Sequence, residues 1–267
     1  MILGIIPARY GSTRFPGKPL IDIKGKSMIQ RVYEQATQAR CLSKVIVATD
    51  DERIFQHVQA FGGEAVMTHS DHPSGTDRCW EAYSEFKVEG LEFTVESNVT
   101  VNPQPLTSNH YIINIQGDEP FVAPQQIDEL GAILDGSVEI ASQMIPVSSA
   151  EALWDIGEAK VIVNQDFEAI YFSRSVIPYL KGFPQDQWHL RHTYYRQVGM
   201  YAYRADILEK LTQLPVSDLE KAESLEQLRW LQHGFKIKMA LTQYESHCVD
   251  TLEDLNRILA SHQSLNH

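Results

Sequence analysis

Two hydrophobic periods alternate along the chain. Residues 3–6, "LGII", form a short apolar run ahead of a turn-rich stretch and predict a buried strand. Residues 27–40 place Met28, Ile29, Val32, Tyr33 and Ala36 on one helical face. The β-branched run 44–50 predicts a second strand, and 51–63 a helix that ends at a glycine pair. The same reading gives strands at 65–68, 111–118, 139–147, 160–164, 169–175, 199–204 and 236–242. It gives helices at 76–86, 217–234 and 251–262, the second opened by the capping pair Ser217 and Glu220.

Strand and helix alternate through the first half, which predicts an α/β fold with a doubly wound, mostly parallel sheet. Residues 150–205 break the rhythm with successive strands. They are expected to form a smaller lobe or dimerisation insertion within a single domain spanning 1–267. Residues 87–109 are a long polar connection, expected as a surface excursion without assigned role. In sheets of this kind ligands bind at the carboxyl ends of the strands.

Composition narrows the function. The formal net charge of −12, from 35 acidic and 23 basic residues, argues against duplex nucleic acid as a partner. No apolar run approaches the roughly 20 residues that span a bilayer. The chain begins "MILGII" without a basic leader or small-residue cleavage site, which predicts a cytoplasmic protein. Cys41, Cys79 and Cys248 are odd in number and far apart, which predicts free thiols.

Residues 6–20 read "IPARYGSTRFPGKPL", with Arg9, Arg14 and Lys18 set among Gly11, Ser12, Thr13 and Gly17. A glycine-rich loop after the first strand can turn backbone N–H groups toward phosphate, while Arg and Lys supply charge. In an acidic chain such a cluster has a local purpose. The loop is neither G-x-x-x-x-G-K-[ST] nor G-x-G-x-x-G, which disfavours a kinase-type P-loop and a nicotinamide site. A solvated turn stays open beside the phosphate cradle. In "NIQGDEP" (114–120) Asp118 stands at the mouth of a parallel sheet, where a carboxylate can hold Mg²⁺ together with phosphate oxygens. "CVDT" (248–251) sets Asp250 in a similar place. A turn acid and a helix cap are the structural alternatives for these two. Two such carboxylates beside a cationic loop describe metal-assisted attack on a nucleotide phosphate.

Seven stretches stand in order: "IPARYGSTRFPGKPL", "VATDDERI", "MTHSDHPSGTDR", "NIQGDEP", "YFSRSVIPY", "LEKAESLEQLR" and "VDTLEDL". Together they resemble the 3-deoxy-manno-octulosonate (Kdo) cytidylyltransferases over nearly the whole chain. The resemblance implies a fold of the nucleotide-diphospho-sugar transferase type and a homodimer. It implies Mg²⁺-dependent transfer from CTP to an acidic eight-carbon sugar for lipopolysaccharide synthesis, the anomeric hydroxyl attacking the α-phosphate. Arg9, Arg14 and Lys18 then match the triphosphate loop, with Gly11 and Ser12 in it, and Asp118 and Asp250 match metal ligands. Pro7 and Ala8 match the wall behind the nucleoside. Ser74, Gly75, Thr76 and Arg78 match the cytosine site, and Gln116 faces base and sugar. Arg174, Gln197, Tyr201, Glu220, Glu223 and Gln227 match the sugar pocket. For Arg174 a lobe-stabilising ion pair is the alternative, and for the glutamates a solvated helix face.

The chain departs from the family pattern at three places. Gln197 in "RQVGMY" stands where the family has His; Gln does not titrate and offers both a donor and an acceptor. A modified sugar such as 8-amino-Kdo, or another sugar acid, is therefore an alternative substrate. Ser246, His247 and Cys248 replace a glycine-containing approach to Asp250. The connection at 87–110 is longer than usual. Two further classes stay in view: a non-catalytic nucleotide or sugar sensor, and a glycosyltransferase, against which the lack of any Asp-x-Asp triplet counts.

Overall fold

A computed structural model describes residues 1–11, 15–92, 110–245 and 248–261, with the side chains of 87–92, 258, 260 and 261 left aside. Chain contacts gather into two units, Met1–Asp128 with Ser246–His267, and Glu129–Glu245. Residues 150–205 lie within the second. Among the described residues no helix is long and apolar enough to cross a membrane.

The first unit is built on strand β1 (Ile2–Ala8). The chain then makes a small hairpin of β2 (Asp22–Ile23) and β3 (Lys26–Ser27). Helix α1 (Met28–Ala36) follows, and the Ser27 hydroxyl accepts from the Gln30 N–H to cap it. Its apolar stripe, Met28, Ile29, Val32 and Ala36, is buried as the periodicity requires. Next come β4 (Lys44–Thr49), α2 (Glu52–Ala60) capped by Asp51, β5 (Ala65–Met67), α3 (Gly75–Glu92), β6 (Tyr111–Asn114) and α4 (Pro124–Ala132). The strands lie in the order β6-β1-β4-β5, all parallel. Leu3, Ile5, Ile6, Ile46, Val47, Ile112 and Ile113 are buried, because helices cover a parallel sheet on its faces. The unit ends with a C-terminal helix, Leu252–Ser261.

The sequence reading extended β6 to residue 118, whereas it stops at Asn114. Residues 116–119 close a turn through the Glu119 N–H and the Gln116 carbonyl, so they leave the ladder and form the rim of the sheet. The reading also missed α4 and the β2–β3 hairpin, which are short and flanked by equally turn-rich sequence.

The second unit is a mixed sheet around β7 (Ile140–Pro146). Helix α5 (Ala150–Trp154), β8 (Lys160–Val163), β9 (Ala169–Ser173), α6 (Trp188–Arg191) and β10 (Tyr195–Arg204) follow. Then come α7 (Ala205–Thr212), α8 (Asp218–Glu223), α9 (Gln227–Gln232) and β11 (Ile237–Leu241). β11 runs parallel to β7, β10 antiparallel to it, and β8 and β9 extend from β10 in antiparallel fashion. β10 is longer than the expected 199–204, and its register against β7 shifts between Val198 and Tyr201. That bulge breaks the strict alternation on which a sequence reading depends.

The long helix expected at 217–234 is two helices. Ser217 and Glu220 form the expected capping box of α8, but Ser224 takes a left-handed conformation (φ 52°) and ends it. The carbonyls of Glu223 and Ser224 turn instead to the Arg174 guanidinium. A helix C-terminus leaves such acceptors unpaired, and here a residue 50 positions away satisfies one of them. Helix α7 was missed because Arg204 passes from strand into helix with no intervening turn residue. Tyr194 and Tyr203 are core residues, packed on Trp188 and Trp230 respectively.

Candidate active site

In the first unit the chain passes from β1 outward through β4 to β5, then returns to the other side of β1 as β6. The reversal leaves a crevice at the carboxyl ends of β1 and β6, the place where open α/β sheets bind ligands. A cavity of about 190 Å³ lies there, lined by Pro7, Ala8, Arg9, Lys18, Pro19, Gln116, Gly117, Asp118 and Asp250. A second cavity of about 170 Å³ shares Pro7, Ala8, Arg9 and Gln116, and adds His72, Pro73, Ser74, Gly75 and Arg78. Most of the residues expected to hold nucleotide thus line two neighbouring hollows.

Gly117 lets the two strand ends meet. A Cβ there would stand 2.8 Å from the Pro7 carbonyl oxygen, so only glycine fits without a shift. Gly17 makes the opening loop turn back. It has φ +73°, lies against the Tyr10 ring, and donates its N–H to the Tyr10 carbonyl at 3.0 Å. The short 3₁₀ turn Lys18–Leu20 follows and aims Lys18 inward.

Lys18 Nζ donates to Asp118 Oδ2 at 2.8 Å and to Asp250 Oδ1 at 3.1 Å. Burial alone would lower the lysine's pKa, but the charge and hydrogen bonds of the two aspartates outweigh it and raise it. The main chain holds the carboxylates together, since the Val249 N–H donates to the Asp118 carbonyl at 2.9 Å. Thr251 and Asp254 cap the C-terminal helix reciprocally, so the alternative reading of Asp250 as the cap is filled by its neighbours.

Two carboxylates that converge on one cation suit Mg²⁺. It takes hard oxygen ligands and usually needs only one or two carboxylates beside phosphate and water. Among the described residues no three His, Cys, Asp or Glu side chains gather to hold a metal.

On the side of the second cavity, Ser74 caps α3: its hydroxyl accepts from the Thr76 N–H at 3.2 Å and donates to Asp77 at 2.6 Å. Thr76 and Arg78 are buried. The Arg78 guanidinium bonds Thr68 and lies 3.4 Å from Asp50. His72, which the sequence reading did not select, lines this cavity and bonds Glu81. Glu81 lies nine residues further on in α3, beyond any local motif, so no sequence signal marked the pair. Burial alone would raise the Glu81 carboxyl, but the hydrogen bonds from His72 and the His69 N–H hold it below its ordinary value.

The residues matched to the sugar pocket all lie in the second unit, Gln116 excepted. Gln197 is buried: its amide nitrogen donates to the Ser142 hydroxyl at 3.2 Å and to Tyr201, and its oxygen accepts from Gln227 at 2.7 Å. The four make an uncharged network, and burial pushes the Tyr201 phenol far up. Arg174 is held by four backbone carbonyls, those of Ile156, Gly157, Glu223 and Ser224. Glu223 accepts from the Ser173 hydroxyl at 2.6 Å and the Arg174 N–H at 2.9 Å. Glu220 forms a two-pronged pair with Arg229 at 2.7 and 2.6 Å, which is not a solvated helix face. Ser12, Arg14, residues 93–109, Ser246, His247 and His262 lie outside the described residues.

The three cysteines are free thiols, as expected. Burial, reinforced by Asp128, pushes the Cys41 thiol up to about 12.

Comparison with known proteins gives the family. The family model "Cytidylyltransferase" matches residues 3–237. The 3-deoxy-manno-octulosonate cytidylyltransferase of Parabacteroides distasonis is 49 % identical over 263 residues, covering 97 % of this chain and 96 % of that protein. Its counterpart from Cytophaga hutchinsonii is 49 % identical over 258 residues, 96 % of each. Among solved structures, a CMP:2-keto-3-deoxy-manno-octonic acid synthetase complexed with CTP superposes with a TM-score of 0.82 at 41 % identity, covering 98 % of both chains. With a family model matched over most of its length and relatives 49 % identical over nearly all of it, the chain belongs to the cytidylyltransferase family and, within it, to the 3-deoxy-manno-octulosonate cytidylyltransferases.

Proposed function

We propose that the protein transfers a cytidylyl group from CTP to 3-deoxy-manno-octulosonate, giving the CMP-sugar and pyrophosphate. The observation that carries this reading is the convergence of Lys18, Asp118 and Asp250 at the carboxyl ends of β1 and β6. In the reaction the sugar's anomeric hydroxyl oxygen attacks the α-phosphorus and its proton passes to solvent, the bond to the bridging oxygen breaks, and pyrophosphate leaves with the electron pair. Asp118 and Asp250 would hold Mg²⁺, which when bound supplies positive charge to the phosphate oxygens.

The chain's own contribution is positioning and charge. Lys18, with Arg9 in the same cavity, faces the triphosphate and stabilises the charge that gathers on the leaving group, and Arg14 is assigned to the same set. Pro7, Ala8 and Gly11 carry the backbone that follows the nucleotide, and Ser12 is assigned to the same set. The cavity of Ser74, Gly75, Arg78 and His72 takes the base, with Thr76 buried behind it, and Gln116 lines both hollows. In the second unit, Arg174, Gln197, Tyr201, Glu220, Glu223 and Gln227 are the proposed sugar set. Arg229 and the backbone carbonyls fix Glu220 and Arg174, so these two shape the pocket, whereas Gln197, Tyr201 and Gln227 form a connected, largely buried polar network. A homodimer at work in the cytoplasm, supplying lipopolysaccharide synthesis, belongs to the same proposal. Light scattering tests the dimer.

The test of function is pyrophosphate release from CTP and Mg²⁺, run with Kdo beside its 8-amino analogue. Turnover with Kdo supports the proposal. Turnover with the analogue alone would move the specificity to a modified sugar through Gln197, and none with either would refute catalysis on these acids.

A further inference from the structure

Lys18 occupies the point on which the two carboxylates converge. Its ammonium lies 2.8 Å from Asp118 and 3.1 Å from Asp250, and the side chain is only 13 % exposed. A divalent cation that uses both carboxylates must take the place of that ammonium. If no nucleotide is bound, the displaced lysine loses two ion pairs and gains only water. If a triphosphate is bound, its oxygens offer the ammonium replacement partners in the same cavity, which Lys18 and Arg9 both line.

We propose that Lys18 is an internal counter-ion that withholds Asp118 and Asp250 from free divalent cations, so that metal enters with the nucleotide. This rests on the assignment of those two aspartates as metal ligands. The lysine then has two positions with distinct tasks: across the carboxylates in the free protein, and on phosphate in the loaded one.

The charges support this order. Two carboxylates and one ammonium leave the trio one negative charge, which Arg9 offsets from the cavity wall, whereas removal of the ammonium leaves two carboxylates facing a common point. A free cation approaching the resting pocket also meets the ammonium at close range, where repulsion in a partly dry cavity exceeds that in water. The turn that begins at Gly17 anchors the backbone of Lys18, so exchange between the two positions requires only rotation of the side chain. The arrangement couples the two ligands, and coupling is reciprocal: whatever factor the nucleotide adds to metal affinity, the metal adds to nucleotide affinity.

The experiment is titration of the full chain with Mn²⁺ alone, read by electron paramagnetic resonance of the free ion. It compares the natural protein with Lys18→Met and Lys18→Gln, circular dichroism serving as the check of fold. A merely structural lysine would on removal leave Mn²⁺ affinity unchanged or lower it. The proposal expects both variants to bind Mn²⁺ about tenfold more tightly than the natural protein, and Asp250→Asn added to either to abolish the gain. If neither variant binds more tightly while Asp118→Asn and Asp250→Asn still weaken Mn²⁺ binding, the counter-ion role is overturned and the carboxylate site stands. If the aspartate substitutions leave Mn²⁺ binding unchanged in every background, the carboxylate assignment fails and the counter-ion role fails with it.

Discussion

A single methyl group at residue 117 reports on the geometry of the site. A Cβ there would lie 2.8 Å from the Pro7 carbonyl oxygen and 3.5 Å from Ile6 Cγ2. Pro7 cannot retreat. It pairs in register with Ala48 on β4, and β6 flanks the same strand on the other side. The turn 116–119 must therefore move, by about half an ångström, before the contact becomes ordinary. Asp118 moves with it, and so do its 2.8 Å bond to Lys18 and its 2.9 Å backbone bond from Val249. Since a 1 Å misplacement near the chemistry costs roughly 10²-fold, Gly117→Ala is expected to lower kcat/KM by about tenfold. Crowding of a packed backbone adds a stability cost of about 1–3 kcal/mol. Initial rates of pyrophosphate release across CTP concentrations give the first number, and urea titration by circular dichroism the second. Natural kinetics together with natural stability would refute the reasoning, because the methyl group would then fit without moving the turn.

Asp118→Asn and Asp250→Asn should each reduce kcat by about 10²-fold or more with the fold retained, on the scale of losing one preorganised charge at a reacting phosphate; near-natural rates in both would overturn the metal assignment. Lys18→Ala should raise KM for CTP more than KM for the sugar, and a selective loss of sugar affinity in steady-state kinetics would contradict its phosphate role. Glu220→Gln removes the two-pronged carboxylate partner of the buried Arg229 guanidinium, leaving Glu226 at 4.0 Å, and should cost about 2 kcal/mol at neutral pH, measured by urea denaturation. Burial alone would raise the Glu220 carboxyl, but Arg229 and the Ser217 N–H hold it below its ordinary value of 4.5. The stability from that shift is therefore fully present above 4.5 and is lost as pH falls through the depressed value, so the natural protein and the variant should converge in acid. A constant gap down to about pH 2 would show that the pair is not the source.

The amino-acid sequence alone determined the alternating strands and helices of the first unit, because period-2 and period-3.6 patterns are local properties of the chain. It also marked residues 7–18, Asp118 and Asp250 as candidates for the chemistry, since cations beside glycines and carboxylates after strands are recognisable without coordinates. The ordered motifs assigned the family. Tertiary structure decided what the side chains do. Asp118 and Asp250 lie 132 positions apart, and only the parallel sheet with its returning β6 brings both onto Lys18. The break of the expected long helix at Ser224 depends on Arg174, a partner distant in sequence, and the pairing of His72 with Glu81 depends on how α3 packs. Gln197 showed in the sequence as a departure from pattern, but its engagement with Ser142, Tyr201 and Gln227 arises from the packing of β7, β10 and α9. Local periodicity records how each segment can bury its own apolar face. The choice of partner for each polar group depends on contacts between distant segments, and those exist only once the chain has folded.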